Sequence, residues 1–187
     1  MNKPVLAPPR TPPQPRFLRI ARLARGLVLF GGALFVVNEL CMTLMPDWAA
    51  NIIKIQTDVT LLGPLTPATR AMVLLWDLPA LFVVLAALYE LWKLFGEYLQ
   101  SRVFSARALA SLRNFARWIL ADALLSPVYR AVLSVIATWQ NGRGHRQFTL
   151  NLSSDDYFML LVGVVMLAIS TVMVEAARIA EDNEGFV

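Results

Sequence analysis

Four ionisable residues sit inside stretches that otherwise read as membrane spans, and they are the side chains best placed to do chemistry. They are Glu39 in GLVLFGGALFVVNELCMTLM, Asp77 in MVLLWDLPALFVVLAALY, and Asp122 with Arg130 in WILADALLSPVYRAVLSVIA. A charge at the centre of a spanning helix costs roughly 2.5–3.5 kcal/mol on insertion scales, so such groups face a bundle interior, a partner or a polar cavity. Carboxyls held there can carry a proton, meet a cation or neutralise an arginine. Other chemistries lack their residues. Cys41 is the only cysteine, and His145, in a polar loop, is the only histidine. Thiolate clusters, haem or zinc ligation, nucleophilic triads and phosphate-binding glycine loops therefore have no basis. No catalytic residue, cofactor or metal is expected.

The elements that must position these groups are long apolar runs. Of the 187 residues, 57% are hydrophobic and only 16% charged, against about 25% charged in a soluble domain; the mean hydropathy is +0.56. Runs at about 26–45, 70–92, 115–138 and 156–174 reach the ~18 apolar residues that mark a transmembrane helix. The expected fold class is an all-α integral membrane protein with four transmembrane helices in one domain over 16–187, preceded by a tail over 1–15.

Depth groups the charges. At ~1.5 Å per residue, Glu39 falls roughly 20 Å and Arg130 roughly 22 Å from the cytoplasmic face, while Asp77 lies roughly 10 Å below the outer one. In a ~30 Å core these levels coincide. A Glu39–Asp77–Arg130 cluster is expected in the outer half. Asp122 lies nearer the cytoplasm, at the level of Ser170 and Thr171, and with Ser126 it defines an inner polar site. Asp122, Ser126 and Arg130 step by four and form one stripe. Pro79 and Pro127 remove backbone donors beside these groups. Three readings stay open: an ion pair that fixes helix register, a pocket that takes a proton or ligand, and acids wetted at the outer interface.

Basic residues orient the chain. Lys3, Arg10, Arg16, Arg19, Arg22, Arg25, Lys93, Arg102, Arg107, Arg113, Arg117 and Arg178 fall on one side of the spans. Lys54, Arg70, Arg143 and Arg146 fall on the other, twelve against four. The positive-inside rule then puts both termini in the cytoplasm. The pI of about 9.6 thus reflects membrane topology, and no direct nucleic-acid binding is expected. Residues 1–15 hold six prolines and read as a disordered tail with polyproline-II character. Arg16, Arg19, Arg22 and Arg25 begin a helical pattern set to lie on anionic headgroups. An uncleaved first span fits better than a signal peptide, since the basic region is long and no Ala-x-Ala site follows. In the first outer loop, Trp48, Ile52, Ile53 and Ile55 predict a short interfacial helix. Ser105 is the expected N-cap of a helix running into span three.

The inner loop KLFGEYLQSRVFSARALASLRNFARW and the tail VEAARIAEDNEGFV form the expected partner surface, with Arg102, Arg107, Arg113 and Arg117 facing Glu181, Asp182 and Glu184. Arg102, Val103, Phe104 and Ser105, followed by Leu112, Arg113 and Ala116, resemble a pattern in a bacterial four-span family, domain of unknown function 2975. The ending Ala180, Glu181, Asp182, Asn183, Glu184, Gly185, Phe186, Val187 is similar to that family's too. The resemblance implies a bacterial inner-membrane protein and carries no catalytic residues. It further implies a small helix-turn-helix regulator as partner. The expected function is a non-enzymatic regulatory or sensory membrane protein. The alternative is a small proton-coupled transporter or channel subunit, which with four spans would work as a homo-oligomer.

Overall fold

Residues 15–142 and 144–184 are described by the computed structural model, with side chains from 16 to 179 apart from 143. The proline-rich tail, save Pro15, and the side chains of Glu181, Asp182 and Glu184 lie outside the described residues. Among these residues the fold is all-α: α1 (Pro15–Leu44), α2 (Pro46–Thr57), α3 (Pro67–Leu99), α4 (Ala106–Thr138) and α5 (Ser154–Glu184), with one 3-10 turn (Trp139–Asn141) closing α4. Helices α1, α3, α4 and α5 are long and apolar enough to cross a membrane.

The ends of these helices follow local chemistry. Pro46 and Pro67 occupy the first turns of α2 and α3, where the missing N–H would have no intrahelical partner. Thr66 caps α3 by accepting from the Thr69 N–H at 3.2 Å. Ser105 caps α4 as expected, accepting from the Ala108 N–H at 3.1 Å. It also donates to Glu97 at 3.0 Å. Each long helix overruns its apolar run at the arginine-rich end, by roughly two to three turns. Charge ends the apolar run there, but Arg, Leu, Ala and Glu keep the helix going.

Packing is sequential rather than closed. Helix α3 lies between α1 and α4, and α4 between α3 and α5; α1 and α5 share no substantial interface among the described residues. At the end opposite the arginines, α2 folds back over the row. Its buried face, Ala49, Ile53 and Thr57, sits on Leu65, Val73, Leu133 and Ala137. The short helix predicted in this loop is thus present, and one face of it is core.

Two side-chain amides knit that cap together. Gln140 accepts from the Thr66 N–H at 3.0 Å and donates to the Pro64 carbonyl at 3.0 Å. Asn141 accepts from the Leu62 N–H at 3.2 Å and donates to the Thr60 carbonyl at 2.8 Å. Each amide thereby serves backbone groups that a turn leaves without partners.

Candidate functional site

The stripe on α4 is longer than its sequence signal. Asp122, Ser126, Arg130, Ser134 and Thr138 step by four along one face, and the segment 147–151 runs back beside it. Thr138 Oγ1 accepts from the Gln147 N–H at 3.0 Å, and Ser134 Oγ accepts from the Thr149 N–H at 3.1 Å. Arg130 Nη2 donates to the Asn151 carbonyl at 3.0 Å. The geometry explains the match: four residues of helix rise ~6.0 Å, and two residues of extended chain advance ~6.6 Å. A helix read every fourth residue therefore pairs with a strap read every second one.

The strap delivers Asp156, in the first turn of α5, to Arg130. Their side chains form an ion pair and retain only 15% and 9% exposure, respectively. Asp156 Oδ2 also accepts from the Ser153 N–H at 2.8 Å and from Ser153 Oγ at 3.1 Å. In return Ser153 Oγ accepts from the Asp156 N–H at 3.3 Å, a reciprocal cap at the helix start. Ser126 sits one turn before Arg130 on the same stripe of α4 and lines the adjoining cavity.

This arrangement corrects the expected grouping. Arg130 makes no ion pair with Glu39 or Asp77, because the strap brings an acid to it first. Glu39 and Asp77 do lie within electrostatic reach of each other across the α1–α3 interface. Glu39 Oε1 and Asp77 Oδ1 are both buried without a hydrogen-bond partner among the described residues. Arg70 lines the same small void as Glu39 but donates to the Thr43 carbonyl at 3.0 Å. The inner site is also redistributed. Ser170 and Thr171 both donate to the Leu167 carbonyl of their own helix, at 2.8 and 2.9 Å. Asp122 and Ser126 instead join Arg130 around a cavity.

That cavity, about 360 Å³, opens between α3 and α4 and is lined by Trp76, Pro79, Val83, Asp122, Leu125 and Tyr129 among others. Trp76 and Tyr129 stack with centroids 6.2 Å apart and planes 8° apart. Trp76 Nε1 donates to the Tyr129 carbonyl at 3.2 Å. Asp122 lies close enough to Asp156 for the two charges to repel, yet it has no ion pair among the described residues. Nor do the described residues hold a group of three or more His, Cys, Asp or Glu side chains suited to a metal ion.

At the arginine-rich end the expected partner residues divide. Arg102 is tied to Glu97 at 3.1 Å inside the α3–α4 turn. Arg107 lines a groove with Arg25 and Lys93, where Arg25 stacks over Trp92 at 4.1 Å. Arg113 and Arg117 line a second groove, about 520 Å³, between α4 and α5, floored by Leu109, Val174 and Ala177 and flanked by Arg178. Sequence reasoning passed over Asp156 and Glu90. Ser153-x-x-Asp156 is a readable capping pattern. Glu90, buried on α3, is paired three residues on with Lys93 at 2.7 Å, and that i,i+3 spacing was the available signal.

The family described as a protein of unknown function (DUF2975) matches residues 44–186, a stretch that takes in α2 through α5. No curated protein and no solved structure matches the chain.

Proposed function

We propose that this chain, which belongs to the DUF2975 family, is a non-enzymatic regulatory or sensory protein of a bacterial inner membrane, with both termini in the cytoplasm. The single observation carrying this reading is the α4–α5 groove, where Arg113, Arg117 and Arg178 border an apolar floor. A basic rim on an apolar floor fits an acidic-surfaced soluble partner, because the charges steer encounter and the floor holds the contact. A small helix-turn-helix regulator is the candidate partner. Helix α4 carries both the groove arginines and the cavity residue Asp122. Arg117 and Asp122 are only five positions apart, roughly 7.5 Å of helix, so occupancy of the cavity has a short path to the groove.

The test is purification of the tagged full chain in a mild detergent from its native membrane. A soluble regulator should co-purify, and Arg113→Glu or removal of 180–187 should abolish its recovery. Failure to recover any partner, or equal recovery with Arg113→Glu, overturns the reading.

A further inference from the structure

The charges around the α3–α4 cavity do not cancel. Asp122, Asp156 and Arg130 form a group of two acids and one base, and Arg130 is committed to Asp156. The α4 stripe shows the same surplus. Thr138, Ser134 and Arg130 each bind the strap. Ser126 and Arg130 also line the chamber, but Arg130 is neutralised by Asp156, and Asp122 is the charged member of its lining without an ion pair among the described residues; apart from Gln56, the remaining walls are aliphatic or aromatic.

A carboxylate in an apolar chamber is costly unless a counter-charge joins it. An apolar neutral ligand would leave that cost in place, and an anion would raise it. A small inorganic cation fits poorly, since one carboxylate and one hydroxyl cannot replace its hydration shell of six or so oxygens. An organic cation fits on three counts. Its charge meets Asp122, its body meets Pro79, Val83 and Leu125, and aromatic faces such as those of Trp76 and Tyr129 attract cations. The volume of about 360 Å³ lies within the roughly 300–1,000 Å³ of small-molecule sites. Leu125 and Val128 line the chamber and are exposed on the bundle surface, so entry can be lateral, from the lipid.

We infer that the α3–α4 cavity binds a monovalent organic cation with an apolar body, Asp122 acting as its counter-ion. This deepens the sensory reading and rests on it for biological purpose, though its chemistry stands apart.

The experiment uses the purified full chain in uncharged detergent, with tetraphenylphosphonium and tetraphenylborate, ions of like shape and opposite charge. Binding is followed by calorimetry. The cation should bind saturably at one per chain, and the anion should not. Asp122→Asn should weaken cation binding about tenfold or more, Asp122→Glu should keep it within about threefold, and Ala80→Phe should abolish it by filling the chamber. Equal binding of the two ions, or unchanged affinity in Asp122→Asn or Ala80→Phe, overturns the assignment. The comparison of charge sign needs only the unsubstituted chain, so a variant that misfolds does not remove the test. Because no partner is present, this result stands or falls separately from the co-purification above.

Discussion

Arg130 illustrates how a buried charge is defined by what reaches it. With side chains 15% and 9% exposed, the Arg130–Asp156 pair has lost most of its water, and its stability depends on both members being present. Arg130→Gln should therefore cost about 3–5 kcal/mol, because Asp156 would remain buried without its counter-charge. Thermal unfolding in detergent measures this. The double variant Arg130→Gln with Asp156→Asn should recover much of the loss, and a double variant as unstable as the single one would refute an ion-pair role. The sequence revealed that Arg130 needed an acid and put that need on a four-residue stripe. It could not reveal which acid. Depth arithmetic treats each loop as lying outside the membrane, whereas 147–151 descends beside α4 and starts α5 at the level of Arg130. Asp156 therefore looked like a boundary residue. Glu39 and Asp77 lie near each other because each sits within one continuous helix, α1 and α3, with no loop between it and its span's start.

Between elements, the α4–α5 contact depends on one missing side chain. A Cβ at Gly163 would lie 2.8 Å from Leu120 Cγ and Cδ2 and 3.3 Å from Ile119 Cγ2. Helices in lipid gain association from such close backbone approach rather than from hydrophobic burial. Gly163→Ala should cost about 1–3 kcal/mol through overpacking, read as a lower midpoint of thermal unfolding. Adding Leu120→Ala should return part of that loss; no recovery would place the strain elsewhere. This contact had no sequence signature, since Met159 and Leu167, the residues four positions either side of Gly163, are both large. The helix starts were far more legible. Ser105 and the Thr66-Pro67 pair are local signals whose partners lie within one turn, so they do not depend on the rest of the fold.

As a whole, the molecule is an open row of helices, and its two ends differ in character. One end is a set of projecting helices edged with arginine; the other is a cap knitted by Gln140, Asn141 and Gln147. The proposed orientation predicts the outcome of cysteine labelling in a Cys41→Ser background. Ser101→Cys should resist a membrane-impermeant maleimide in intact cells, and His145→Cys should react. The reverse pattern would overturn both the orientation and the cytoplasmic groove. Composition disclosed the spans and the charge bias, because both are sums over many residues. The cavity and the groove were not disclosed, since each depends on which faces of neighbouring helices turn toward one another.

The strap has one more consequence. Residues 147, 149 and 151 turn backbone groups toward α4, while Phe148, Leu150 and Leu152 stand 68%, 63% and 80% exposed. A loop in water would reverse that pattern. Here the greasy edge carries the lipid-facing surface of α5 past its first turn and up the flank of α4. The hydrophobic length of this flank is thus the sum of a helix and an extended strap. Its fit to bilayers of different thickness, a matter of fractions of a kcal/mol per Å of mismatch, is governed by three side chains that no hydropathy count over helices alone would include.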